Sequence, residues 1–481
     1  MSGAVDVLDE DQRAAVEVAG GPVCIIAGPG TGKTRTLAYR IAHLVRCGAA
    51  APSHILALTF TTRAARELAE RLRGLGVDGV HVSTFHSAAA RQLRYFWPRL
   101  IGGRFPTLLA DKTDLLREVV PAVGGTDRLD LVDIAGEIEW MKVVGRPPEE
   151  YEKAVETEGR VPPASPSVVA AAYREYEKLK DERHLLDFED LLLLLSALLE
   201  TESEAAELLA RRYRVFVVDE YQDVNAAEQR LLDAWLGTRD DICVVGDPRQ
   251  SIYGFAGASA RYLEDFSRRF PHAAVFSLVR NYRSTPEVVA VANRLADGTA
   301  PMLRATRPPG PDPIVRDFPD EAAELDGTVR AIRALLDGGV APAEIAVLCR
   351  VQRRVNDFAA ALRAAGLRCV TSGARTPSLR RPDAVTVATL HAAKGLEWDA
   401  VFLTGWAEGW FPAARARSPE ALAEERRLAF VGITRARRWL TVSWPAATRD
   451  GQPTRPMSRF VAEAFGRVDG GPDAAGAFRA S

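Results

Sequence analysis

Lysine is scarce in this chain of 481 residues: only Lys33, Lys112, Lys142, Lys153, Lys178, Lys180 and Lys394 stand among 62 basic residues, and the rest are arginine. Such a bias follows a genome's base composition, so an arginine cluster by itself carries little functional weight here. Cysteine is scarcer still. The five, Cys24, Cys47, Cys243, Cys349 and Cys369, form no C-x-x-C pair, which argues against a zinc site, an iron–sulfur cluster and a disulfide framework. The seven histidines are equally dispersed. Long apolar runs are lacking too: the longest nearly unbroken one, Leu191 to Leu199, falls far below the length needed to span a bilayer. The first residues, Val5 to Asp11, are acidic and lack the basic-then-apolar order of a signal peptide. A cytoplasmic protein is the expectation. The net charge is only −2, so any nucleic-acid partner must meet a local groove rather than a globally basic surface.

What is present begins with Ala27-Gly28-Pro29-Gly30-Thr31-Gly32-Lys33-Thr34, directly after the apolar run Val23-Cys24-Ile25-Ile26. This is a phosphate-binding loop in its expected setting, between a buried strand and a helix. Gly28, Gly30 and Gly32 allow a backbone that a Cβ would block, so successive N–H groups can point at phosphate oxygens. Lys33 would reach the outer phosphates of a nucleoside triphosphate, and Thr34 would ligate Mg²⁺ at the positive end of the helix. The complementary carboxylates lie at Phe216-Val217-Val218-Asp219-Glu220. There Asp219 would hold the metal through its water shell, and Glu220 would act as general base toward the attacking water.

The length predicts about three domain-sized units, and 47% hydrophobic residues can fill their cores. Strand-like runs at Val23 to Ala27, Ile55 to Phe60, Val215 to Asp219 and Ile242 to Asp247 alternate with helical segments such as Thr62 to Leu72, the pattern of a parallel α/β sheet. Between Trp97 and His184 charged, helix-favouring stretches replace strands. After Phe276 a second α/β pattern begins, with strands at Ile345 to Cys349, Ala384 to Ala388, Val401 to Thr404 and Leu440 to Trp444 and a proline-rich loop at Arg307 to Pro313.

Motifs fall in a fixed order along this frame. Leu8-Asp9-Glu10-Asp11-Gln12 precedes the phosphate loop; Leu58-Thr59-Phe60-Thr61, Ser83-Thr84-Phe85-His86-Ser87 and Asp219-Glu220-Tyr221-Gln222-Asp223 follow it. Then come Val245-Gly246-Asp247-Pro248-Arg249-Gln250-Ser251-Ile252-Tyr253, Asn281-Tyr282-Arg283-Ser284, Thr389-Leu390-His391-Ala392-Ala393-Lys394-Gly395-Leu396-Glu397 and Val431-Gly432-Ile433-Thr434-Arg435-Ala436-Arg437. From about residue 8 to about residue 445 the chain resembles the superfamily 1 DNA helicases of the UvrD/Rep/PcrA family. Motif detail at Arg94-Tyr95-Phe96-Trp97 and Gly136-Glu137-Ile138-Glu139-Trp140 is most similar to the second UvrD-type branch in actinobacteria.

The resemblance implies two RecA-like P-loop NTPase domains with a helical insertion, called 1B, in the first. The implied layout is 1–95 and 186–275 for domain 1A, 96–185 for 1B, 276–465 for domain 2A and 466–481 for a flexible tail. It implies ATP and Mg²⁺ as ligands and single-stranded DNA and single/double-strand junctions as partners, with repair or replication proteins beside them, no membrane, and a cytoplasmic, nucleoid-associated place. Gln12 would read the adenine, Tyr282 would stack on it, Glu397 would approach the ribose, and Arg35 would join the nucleotide site. Gln250, Arg283 and Arg435 would sense the γ-phosphate. Phe60, Thr61, His86, Tyr253, Phe255 and His391 would line the DNA track, while Phe60 and Phe85 could each instead be a core aromatic at a strand end.

The chain also departs from the family. Many members place tryptophan and arginine where Phe255 and Ala256 stand. Between Gly373 and Ala384, where members usually carry a large helical insertion called 2B, only Ala374 to Asp383 remain. The expectation is also of a chain without the C-terminal cysteine-rich and HRDC modules of the actinobacterial branch. The leading expectation is a 3′-to-5′ DNA helicase and single-stranded DNA translocase of repair or replication. The alternative is an ATP-gated remodeller that binds single strands and displaces proteins but unwinds little.

Overall fold

The computed structural model describes residues 7–125, 130–296, 298–372, 381–447 and 455–466. They divide into two compact units. One comprises the chain through Ile26, Thr34–Gly246 and Tyr253–Phe276; the other comprises Ala27–Lys33, Asp247–Ile252 and the chain from Ser277 onward.

The first unit is built on a six-stranded sheet of β1 (Val23–Ala27), β2 (Ile55–Thr59), β3 (His81–Thr84), β4 (Val215–Val218), β5 (Ile242–Gly246) and β6 (Ala274–Leu278), in the order β3-β2-β4-β5-β1-β6. Neighbours from β3 to β1 run parallel. Every residue of β2 and β5 is buried, as expected where helices cover both faces of a parallel sheet. Leu56, Leu58, Leu93, Leu195, Phe216, Leu232 and Val244 fill one continuous core. β1 has the bounds its apolar run predicts. The next three predicted strands stop one residue early, because Phe60, Asp219 and Asp247 turn out of the sheet at its C-terminal edge. The sequence reading lacked β3 and β6; these edge strands are only partly buried and show no unbroken apolar run.

Residues 96–185 are largely helical, with Thr113–Ala122, Leu131–Val143, Tyr151–Thr157 and Pro166–Glu182 sharing a core of Leu116, Ile134, Ile138, Met141, Tyr151 and Tyr176. Two short strands went unforeseen here: Thr107–Leu108 pairs in parallel with Leu185–Leu186 and closes the neck of this segment. Three of the seven lysines lie in charge networks beside it. Lys142, 3% exposed, is 2.7 Å from Asp187, 2.5 Å from Asp190 and 3.1 Å from Glu177. Lys180 joins the same three carboxylates, and Lys112 is 2.6 Å from Glu189. Burial pushes the Asp187 carboxyl up, but Lys142 and Lys180 outweigh that and hold it well below the usual carboxylate range.

The second unit contains a parallel sheet of β7 (Ile314–Asp320), β8 (Ile345–Cys349), β9 (Cys369–Ser372), β10 (Val385–Thr389), β11 (Trp398–Leu403) and β12 (Ala436–Ala447), ordered β7-β12-β11-β8-β10-β9. Central β8 is wholly buried and has its predicted bounds. β10 is shifted by one residue, while β11 and β12 are longer than their apolar runs. The flanking strands β7 and β9, partly exposed, were not foreseen. Residues 307–313 form a loop. Residues 373–380, most of the shortened link, and 467–481 of the tail lie outside the described residues. Among the described residues no helix is long and apolar enough to cross a membrane. The α/β class with parallel sheets is the one the sequence predicts.

Candidate active site and nucleic-acid interface

The register Ile26↔Gly246 and Val218↔Val244 brings the C-terminal ends of β1, β4 and β5 to one edge of the first sheet. The phosphate loop leaves β1 at that edge. Gly30 and Gly32 take φ of +71° and +84°, a region that strains any residue with a Cβ. A Cβ on Gly30 would stand 2.6 Å from the Arg283 Cβ and 2.8 Å from the Asn281 Nδ2. The loop is tied in place by the Thr31 hydroxyl donating to the Gly28 carbonyl at 2.7 Å, the Asn281 amide donating to the Pro29 carbonyl at 2.7 Å and the Tyr282 N–H donating to the Gly30 carbonyl at 2.8 Å. It opens into the 14-residue helix Lys33–Arg46. A glycine cradle held open ahead of a helix N-terminus suits the phosphates of a nucleotide, and Lys33 and Thr34 are the first two residues of that helix.

Asp219 and Glu220 follow β4. The Asp219 N–H donates to the Leu58 carbonyl at 2.9 Å, and its carboxylate accepts the Glu220 N–H at 3.0 Å. Glu220 takes φ +52°; among the described residues only His184 shares a positive φ without being glycine. Strain of this kind clusters at functional sites. The Gln222 amide, fully buried, donates to the Glu220 carboxylate at 2.6 Å. Gly246 makes room for it, since a Cβ there would come within 2.5 Å of the Gln222 Oε1. The motif Asp219-Glu220-Tyr221-Gln222-Asp223 by itself gives Gln222 no such role.

In the second unit Gln250 and Arg435 meet. The Gln250 amide donates to Asp247 at 3.0 Å, and its oxygen accepts from the Arg435 Nη2 at 3.3 Å. Arg435, 1% exposed, also donates to the carbonyls of Val431 and Leu396 at 2.9 and 3.0 Å. Arg283 donates to the Thr434 carbonyl at 3.2 Å and is ion-paired with Glu397, whose carboxylate also lies 3.0 Å from Arg437. Burial pushes the Glu397 carboxyl up, but the two arginines outweigh that and hold it below its usual range. The residue expected near a ribose is thus also an anchor for Arg283. Tyr282 is exposed at 44%. Gln12, buried, accepts the Asp9 N–H at 3.3 Å in a capping box, and Arg35 donates to the Val7 carbonyl.

The expected DNA residues divide. Phe60 stacks on Tyr253 at 5.2 Å between ring centres and 19° between planes, and Phe255 meets Tyr253 at 6.2 Å and 63°. Phe60 and Phe255 are exposed at 41% and 55%, unusual for aromatics that a core could absorb. Phe85 is buried against Trp235 and belongs to the core. Thr61 caps the helix Thr62–Gly74 by accepting the Ala64 N–H at 3.1 Å. His86 lies 4.0 Å from Glu228 and edge-on to Phe188 at 6.1 Å; burial and the Lys112 charge push its imidazole down to about 4. Phe188, 41% exposed, is a track candidate that the sequence reading missed. Its signal was an aromatic set just after the helix cap Asp187. His391 belongs to the second unit, where burial and the charges of Arg350, Arg415 and Lys394 push its imidazole down to about 3.

Comparison with known proteins identifies the family. The UvrD/REP helicase N-terminal domain matches residues 8–271, and the UvrD-like helicase C-terminal domain matches residues 276–376 and 374–447. The chain is 40% identical to the ATP-dependent DNA helicase UvrD2 of Mycobacterium tuberculosis over 568 positions, covering 94% of this chain and 81% of that protein. It is 35% identical to the ATP-dependent DNA helicase PcrA of Bacillus subtilis over 294 positions, 60% of this chain and 39% of that one. Against the ATP-dependent DNA helicase UvrD1 of Mycobacterium leprae the identity is 28% over 666 positions, 95% of this chain and 85% of the other. With matches to both its N-terminal and its C-terminal domain, the chain belongs to the UvrD/REP family of ATP-dependent DNA helicases.

Proposed function

We propose that the protein couples ATP hydrolysis to 3′-to-5′ movement on single-stranded DNA and separates duplex ahead of it, in repair or replication. The observation that carries this reading is the segment Asp247 to Phe255. It bears Gln250, hydrogen-bonded to Arg435, and three residues later Tyr253, stacked on exposed Phe60. A change in what Gln250 and Arg435 hold therefore has a covalent path of three residues to the surface on which bases stack. Lys33 would bind the outer phosphates of ATP. Glu220, oriented by Gln222, would take the proton of the attacking water. Arg283 and Arg435 would neutralise charge that develops on the transferred phosphoryl group, a role worth about 10³ to 10⁵ in rate for one such arginine. Thr34 and Asp219 would hold Mg²⁺, which supplies charge neutralisation on the phosphates when bound.

The domain plan 1A, 1B and 2A, with 2B reduced to a short link, is part of the proposal. Two observations support it: the C-terminal family match breaks at 374–376, and the 568 aligned positions against UvrD2 draw on 94% of only 481 residues, so more than a hundred positions there face none here. The same shortening favours a second reading, a motor that strips proteins from single strands and unwinds poorly. ATPase rate with and without single-stranded DNA, beside unwinding of 3′- and 5′-tailed duplexes, tests the first. Hydrolysis indifferent to DNA, or a preference for 5′ tails, would overturn it.

A further inference from the structure

The segment Gly254–Gly257, which carries Phe255, is held from two sides within the first unit. On one side the Ser259 N–H donates to the Val224 carbonyl at 3.1 Å, and Ala258 pairs with Asn225 in an antiparallel bridge. On the other lies the helical insertion. Gly257 has φ +88°, and a Cβ there would stand 2.7 Å from the Val143 Cγ1, so the helix Leu131–Val143 packs directly on this backbone. Arg160, just after the helix Tyr151–Thr157, donates its Nη1 to the Phe255 carbonyl at 3.2 Å. The same guanidinium grips Glu137 through Nε at 3.3 Å and Nη2 at 2.7 Å and lies 4.2 Å from the ring centre of Trp140. The Tyr151 hydroxyl donates to the same carboxylate at 2.9 Å.

Two nitrogens on a carboxylate, the third on a carbonyl and the flat face on an indole is a combination that only a planar fork provides; an ammonium is a point charge and cannot hold all three. The side chains of Arg160 and Glu137 are 19% and 9% exposed, so solvent screens the pair weakly. The carbonyl it holds is that of the residue whose ring meets Tyr253 at 63°.

We propose that Arg160 is a positioning residue: through the Phe255 carbonyl it ties the placement of the helical insertion to the tilt of the Phe255 ring, and so sets the surface on which single-stranded bases stack. It also brings a guanidinium to a segment whose own residue 256 is alanine. This inference rests on the DNA-track reading above.

The test uses the full chain and an oligodeoxythymidylate carrying one 2-aminopurine, moved along the strand, whose fluorescence falls when the base stacks on an aromatic ring. The parent quenches the probe at one position, and Phe255→Ala abolishes that quench. Arg160→Ala and Arg160→Lys lose the same quench at saturating protein and weaken half-maximal DNA stimulation of ATPase on the order of tenfold, the scale of one lost stack. Hydrolysis without DNA stays at the parental value; the melting midpoint falls, because Glu137 loses its partner, so all assays are run at a temperature where parent and variants are folded. If Arg160→Ala does not fold, Arg160→Met keeps the stem on Trp140, lacks the donors, and must lose the same quench. A full quench and unchanged half-stimulation in the Arg160 variants, with loss in Phe255→Ala, overturns this inference alone. An unaltered signal in Phe255→Ala overturns the track itself.

Discussion

Gln222 illustrates how a single side chain can hold the carboxylate proposed as general base. Its amide donates to the Glu220 carboxylate at 2.6 Å, and Glu220 itself holds a left-handed backbone with φ +52°. Glu220→Gln should abolish turnover yet still bind ATP, whereas Lys33→Ala should lose both; a fluorescent nucleotide titration beside a phosphate-release assay separates the two. Gln222→Ala should lower kcat by 10²-fold or so, within the usual range for a misdirected general base, with little change in nucleotide affinity. His391 offers a second residue-scale prediction. With its imidazole pushed down to about 3 from an ordinary value near 6.5, the unfolded chain binds one more proton than the folded one between those limits. Its contribution is therefore complete above about pH 6.5 and is lost as the pH falls through that window. Glu228, pushed up to about 7 by burial, works in the opposite direction, so the informative quantity is the difference between two proteins. Thermal melting from pH 7 to 4 should fall less steeply for His391→Asn than for the parent.

At the scale of elements, the neck of the insertion matters most. Its two-residue ladder of Thr107–Leu108 on Leu185–Leu186 is too short to fix an orientation, and the burden passes to Lys142 and Lys180 among Asp187, Asp190 and Glu177. Removing one partner of a buried ion pair typically costs about 3 to 5 kcal/mol because the remaining charge is stranded. Lys142→Met should destabilise the protein on that scale, read as a lower urea midpoint. A midpoint equal to the parent's would mean that Lys180 and water suffice. The helix Thr62–Gly74 gives a milder case. Loss of its cap in Thr61→Ala should cost about 1 kcal/mol, and any larger loss of DNA affinity would assign Thr61 a second role in the track.

For the whole molecule, the question is whether a motor with so short a link between Gly373 and Ala384 unwinds duplex or only moves along single strands. Strand displacement on a 3′-tailed duplex should exceed spontaneous melting if the helicase reading holds. Release of a tightly bound protein from single-stranded DNA without strand displacement would favour the remodeller. Both assays are run with ATP and Mg²⁺, and chelation of the metal is expected to stop either activity.

Much of this was legible in the chain. Central strands such as Val23–Ala27 and Ile345–Cys349 are apolar on both faces, so their limits could be read without coordinates, and the phosphate loop declared itself because phosphate chemistry demands glycine, lysine and threonine at fixed spacing. Edge strands such as His81–Thr84 and Ala274–Leu278 escaped because half-exposed strands tolerate polar residues. Only the tertiary structure decided that Gln222 orients Glu220, that Phe188 faces His86, that Phe85 is core while Phe60 is surface, and that Arg160 reaches Phe255 from 95 residues away. Local sequence sets a residue's chemistry and backbone preference; which distant groups it meets is set by packing, which no short pattern encodes.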